Sequence, residues 1–137
     1  MSRHFRKQFE EIVDVPLSQT GQGKTFFENN IVRSLLLGET VLFLFAVGLL
    51  IFSLHPSEAS FILHYNVYFG VDLLGSWWQL YILPMIALFF SLVNMFLARR
   101  FYQIKHERVA AYLLLLGSTM VLSGALLGCL SVVYINY

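Results

Sequence analysis

A handful of side chains in one short stretch could do chemistry. His64, Asn66 and Asp72 fall within "HYNVYFGVDLLG", with His55 and Glu58 just upstream. An imidazole nitrogen and a carboxylate oxygen are metal donors, so His64 with Asp72, helped by His55 or Glu58, is one conceivable ligand set. A mixed N/O set without an H-x-x-x-H type pair is a weak metal signature, and the expectation is no metal and no cofactor. The same stretch could serve recognition, because Tyr65, Tyr68 and Phe69 would offer aromatic surface beside the polar groups. A third use is internal. His64, Asn66 and Asp72 could bond one another and the backbone, holding a compact loop. The residues alone leave these three uses open.

Other reactive groups carry less. Cys129 is the sole cysteine and lies inside an apolar run, so no intrachain disulfide forms. No Ser or Cys has a His at compatible depth, and no paired-carboxylate site of the catalytic kind is present in the sequence, so the chain reads as a non-enzyme. "SQTGQGKT" resembles the phosphate-binding loop G-x-x-x-x-G-K-[ST], with Ser18 in place of the first glycine. That loop works by joining a buried parallel strand to a helix, and here a long apolar helix follows. Nucleotide binding is not expected.

The elements that position these groups follow from composition. The chain has 137 residues, is 58% hydrophobic and 12% charged, and has a mean hydropathy of +0.69. Three runs, 34–54, 77–98 and 109–133, match the roughly 20 helical residues that cross a 30 Å hydrocarbon core. So short a chain cannot wrap three such helices in a polar shell, and in lipid the backbone must bond within each segment. The expected fold is an all-α integral membrane protein with three transmembrane helices.

Charge sets the orientation. Arg3, Arg6, Lys7, Lys24 and Arg33 precede the first run, and Arg99, Arg100, Lys105 and Arg108 separate the second from the third. These nine are all the Lys and Arg, and three crossings put every one on one side. Basic loops stay cytoplasmic, so the topology is N-in and C-out, with the loop 55–76 outside. Trp77, Trp78 and Tyr81 mark the outer end of span two, Phe101 and Tyr102 its inner end, and Tyr134 and Tyr137 the outer end of span three. Nothing resembles a nucleic-acid footprint, and the expected location is the cytoplasmic membrane.

Residues 1–24 form a cytoplasmic segment before the transmembrane domain of 25–137. Phe5, Phe9 and Ile12 fall at i, i+4 and i+7, suiting a short interfacial helix or a frayed terminus. A cleaved leader is not expected, because a long polar stretch precedes the first span. Thr25-Phe26-Phe27-Glu28 fits a capping box, so helix one should start at Thr25 and run through Leu54. His55-Pro56 ends it. Ser76-Trp77-Trp78-Gln79 is a second capping box, opening helix two.

The outer loop between these helices resembles the N-terminal unit of the SdpI-like bacterial membrane proteins. The likeness rests on His64-Tyr65-Asn66 followed by Gly70, Asp72 and Gly75, and extends over about Val41 to Arg100. Ile62 stands where that family usually has proline. The resemblance implies a structured outer loop and an immunity or sensing role toward an extracellular peptide.

Within the spans, polar groups are costly and therefore informative. Glu39 and Asn94 reach similar depth near the inner third, where Tyr112 enters span three, so either a Glu39–Asn94 contact joined by Tyr112 is expected or Glu39 snorkels to the inner headgroups. Gly117, Gly124, Gly128 and Ser131 form a small-residue stripe that admits a close helix, either span one or a second protein. Pro84 kinks span two or sits harmlessly in its first turns. Two functions remain. One is sensing or binding through the outer loop, with an extracellular peptide as partner. The other is a small accessory subunit among larger membrane subunits.

Overall fold

The computed structural model describes residues 25–58, 60–104 and 107–136. The expected interfacial helix at Phe5, Phe9 and Ile12 lies outside them, as do Lys105 and Tyr137. Three long helices dominate: α1 (Asn30–Ser53), α2 (Ile82–Tyr102) and α3 (Arg108–Asn136). Each is long and apolar enough to cross a bilayer, the second with the turn Trp77–Tyr81 that precedes it.

The fold is not all-α. The loop between α1 and α2 folds into an antiparallel hairpin, β1 (Phe61–Asn66) against β2 (Gly70–Gly75). The reason is local. Two runs rich in aromatic and branched residues flank a short turn that closes at Gly70, whose φ of 83° is the left-handed region glycine tolerates. Asn66 Oδ1 accepts from the Tyr68 N–H at 2.9 Å, fixing that turn. The ladder is irregular around His64, where a bulge shifts the register.

The helix starts also differ from expectation. Glu28 does accept from the Thr25 N–H, at 3.0 Å, but the box closes only a short 3₁₀ turn, Phe26–Glu28. The α-helix begins one cap later. Asn29 is extended, and its Oδ1 accepts from the Ile31 N–H at 2.8 Å. The second box behaves alike: Gln79 Oε1 accepts from the Ser76 N–H at 2.9 Å, over a 3₁₀ turn that feeds α2. Pro84 is buried in the first turn of α2, where its missing N–H breaks no helical bond.

Helix α3 is the hub, packing against both α1 and α2, which meet each other only sparsely. Its buried residues are Ala111, Leu115, Ser118, Leu122, Ala125 and Cys129, alternating by four and three along one seam. Small and large residues alternate there, so the neighbouring helices interlock. Ser118, Thr119 and Ser123 donate to carbonyls one turn back in α3, so these hydroxyls are satisfied within their own helix.

The glycine stripe does not serve that seam as expected. A Cβ on Gly117 or Gly124 would meet nothing within 4 Å, and Gly124 and Ser131 are exposed. Only Gly128 marks a close approach, where a Cβ would come 2.6 Å from Leu83 Cδ2 of α2. The helix it admits is therefore span two, not span one.

Candidate functional site under the hairpin

The hairpin lies over the ends of the helices remote from the arginines. Phe61 and Leu63 pack onto a core of Ala46, Leu50, Leu54, Leu80 and Cys129. Its position is fixed by Asn136 in the last turn of α3. Asn136 Oδ1 accepts from the Ile62 N–H, and its Nδ2 donates to the Ile62 carbonyl, both at 2.8 Å. The same Nδ2 donates to the Val132 carbonyl at 2.8 Å, one turn back in its own helix. A carboxamide thus pairs with the free edge of β1 much as another strand would. Nothing in the sequence reading singled out Asn136. A polar amide at the end of an apolar helix, level with a predicted loop, was the available signal.

Between hairpin and helices is a cavity of about 510 Å³. Leu50, Leu80, Leu83, Cys129 and Val132 are among its helix-side walls, and Leu63, Leu73 and Leu74 come from the strands. Polar lining comes from His64 and Gln79. Size, apolar walls and a few polar groups match the usual make-up of a small-ligand site. His64 Nδ1 stands 3.4 Å from Asp72 Oδ2 across the strands, the imidazole largely exposed. Rim and walls therefore differ in character: a polar pair beside an apolar hollow.

The loop residues named from sequence divide by role. His64 and Asp72 come together. Asn66 serves the turn, and Gly70 supplies its left-handed residue. Tyr65 is exposed, and Gly75 abuts the second cap. Among the described residues no group of three His, Cys, Asp or Glu is close enough to hold a metal. His55 and Glu58 do not join His64 and Asp72 in such a group. The hairpin tip is apolar and bare: Val67, Tyr68 and Phe69 are 84%, 90% and 83% exposed. Such residues suit a bilayer interface or a partner's surface.

Gly75 is spatially constrained. A Cβ there would overlap Gln79 Oε1 and Leu63 Cδ1. Gln79 cannot retreat without giving up the Ser76 cap, and Leu63 can retreat only into the cavity. Gly75→Val is therefore expected to lower stability by about 1–2 kcal/mol, the scale of a lost cap plus a displaced leucine. A detergent unfolding titration against the parent checks this, and an unchanged midpoint would show the overlap is absorbed elsewhere.

The expected intramembrane cluster is rearranged. Glu39 is buried, and its Oε2 accepts from Ser91 Oγ of α2, one turn from Asn94. Asn94 is half-buried and bonds neither Glu39 nor Tyr112. The physical reason is axial. On α2 the buried residues include Pro84, Ala87, Ser91 and Ala98, and Asn94 continues their three-four spacing, so it shares that face but stands one turn nearer the arginine end than Ser91, which is the residue level with Glu39. Tyr112 instead joins a cluster at the arginine end. Asn29 Nδ2 donates to Tyr102 Oη at 3.0 Å and to Tyr112 Oη at 2.8 Å, linking the starts of α1 and α3 with the end of α2.

Comparison with family models, curated proteins and solved structures finds no match to this chain.

Proposed function

We propose that the chain is a small, non-catalytic bacterial protein of the cytoplasmic membrane that binds or senses an extracellular ligand through its hairpin, as SdpI-like proteins would. The ligand has an apolar part, a peptide side chain or a lipid-like group, seated in the hollow beneath β1 and β2, with His64 and Asp72 at its polar end. The observation that carries this reading is the apolar cavity of about 510 Å³, roofed by a hairpin held in place by Asn136. Three helices long and apolar enough to span support the membrane setting. The described arginines, Arg33, Arg99, Arg100 and Arg108, sit at the ends of the helices remote from the hairpin, which favours an outward hairpin.

The test uses the single native thiol, since Cys129 lines the hollow. A membrane-permeant maleimide should label Cys129 slowly in the parent, and conditioned supernatant from a culture of the bacterium that carries the protein should protect it further. Filling the hollow with Leu73→Trp should abolish that protection. Labelling that is indifferent to any supernatant and to Leu73→Trp would overturn the reading.

A second reading, an accessory subunit of a larger membrane complex, is favoured by the unpartnered face of α3 at Gly117, Gly124 and Ser131. Gentle extraction followed by mass measurement separates the two. Large membrane subunits travelling with the chain point to the complex, and their absence to a lone receptor.

A further inference from the structure

The opposite end of the bundle holds a second hollow, of about 370 Å³, unrelated to the hairpin. Thr25, Phe26, Phe27, Arg99, Tyr102, Gln103 and Arg108 line it. Two guanidinium groups face this space from different helices: Arg99 near the end of α2 and Arg108 at the start of α3. Each is steadied by a ring. Arg99 lies over Phe27 at 5.6 Å, and Arg108 over Tyr102 at 5.0 Å from the ring centre. Phe26 meets the Tyr102 ring edge-on at 5.4 Å, so the supporting aromatic groups are themselves packed.

The two guanidinium groups are not paired with an acid: among the described residues neither Arg99 nor Arg108 has a carboxylate within 4 Å. Glu28, the nearby acid in the adjoining turn, already accepts from the Thr25 N–H. Two oriented guanidinium groups with hydroxyl and amide donors beside them, Thr25 and Gln103, form a set suited to phosphate oxygens. Its depth selects the phosphate's carrier. The hollow opens where the apolar helices end, so in a bilayer crossed by those helices it would lie at headgroup depth, and basic pockets between transmembrane helices take such groups.

We propose that Arg99 and Arg108 bind the phosphate of an anionic phospholipid, with Phe27 and Tyr102 holding the guanidinium groups in place and Thr25 and Gln103 completing the site. Bound lipid would tie the start of α1, the end of α2 and the start of α3 together. This inference does not depend on the hairpin's ligand. Arg100 stands outside the site, stacked at 5.3 Å on Phe96 of its own helix.

The test takes the full chain into nanodiscs of phosphatidylcholine with a minority of phosphatidylglycerol, then extracts it mildly and weighs the lipid retained by native mass spectrometry. The parent is expected to retain phosphatidylglycerol in preference to phosphatidylcholine. Arg99→Gln with Arg108→Gln should cut that retention roughly tenfold or more, the size expected when charge-assisted hydrogen bonds to a phosphate are lost. Arg100→Gln, which removes a charge outside the site, should leave it within about twofold. If the double variant does not purify, Arg99→Gln alone should still cut retention roughly threefold or more. Equal losses for Arg100→Gln and the double variant would mean diffuse attraction and would overturn the site. Displacement of the lipid by millimolar inorganic phosphate would point to a soluble phosphate as the occupant, which also overturns the lipid assignment.

Discussion

Asn136→Ala should raise the exchange rate of the Ile62 amide roughly thirtyfold, corresponding to about 2 kcal/mol of lost protection. In the parent that amide and the Ile62 carbonyl both bond the Asn136 side chain, on the edge of β1 that β2 does not cover. Removing the carboxamide strands a donor and an acceptor under a half-buried strand, and leaving such groups unmade costs more than the bond itself yields. A two-stranded hairpin is marginal without outside support, so the effect should spread along β1. Asn136→Asp sharpens the test. Its carboxylate can still accept from the Ile62 N–H but cannot donate to the carbonyl, so it should fall between parent and alanine. An Ile62 amide that exchanges equally in all three proteins would mean the hairpin is held by its leucines alone, through Leu63 and the core beneath it. The same variants bear on function. A loosened roof should raise maleimide access to Cys129, because that thiol shares the hollow with Leu63, Leu73 and Leu74.

The second large effect concerns Glu39. Ser91→Ala should destabilise the bundle by about 1–3 kcal/mol, whereas Glu39→Leu combined with Ser91→Ala should be close to neutral or stabilising. Magnitudes separate the causes. A hydrogen bond between membrane helices is typically worth only about 0.6 kcal/mol, so the lost bond alone gives a small change. The larger cost comes from the stranded acid. Among the described residues Glu39 Oε1 already has no hydrogen-bond partner, and deleting Ser91 Oγ removes the partner of Oε2 as well. Replacing both groups removes the polar pair from an apolar seam formed with Leu42, Phe43, Ala87 and Leu122. The double-mutant cycle in a reversible detergent unfolding assay should therefore show strong non-additivity. Additive changes would mean Glu39 reaches water or another partner when Ser91 is absent. Asn94→Ala is the control: its side chain bonds neither Glu39 nor Tyr112, so stability should change by less than about 0.5 kcal/mol.

Composition and run length alone called for three apolar helices, because only about 20 unbroken apolar residues satisfy the thickness and hydrogen-bonding demands of a bilayer. The two capping boxes were legible for the same kind of reason, since a cap is a contact between residues three apart. His64 and Asp72 were legible as a pair worth testing. The hairpin was within reach too: two β-forming runs about a turn closing on Gly70 are a local signal, masked by the expectation that every element would be helical.

Other features depended on contacts between distant parts of the chain. How far α2 is offset along its neighbours was settled by packing, and one turn put Ser91 rather than Asn94 opposite Glu39. The axial offset between two helices and the rotation of each about its axis are both fixed only by the neighbour. The glycine stripe failed for that reason: Gly117 and Gly124 face open space while Gly128 alone meets Leu83. Asn136 and Asn29 each join groups more than seventy residues apart in sequence. The sequence by itself determined three helices long and apolar enough to span and two capping boxes, since those obey rules of length and near-neighbour bonding. Tertiary packing alone decided the hollow under the hairpin, the arginine pocket at the other end and the partner of Glu39, because each is a space or contact shared by helices that no local rule brings into register.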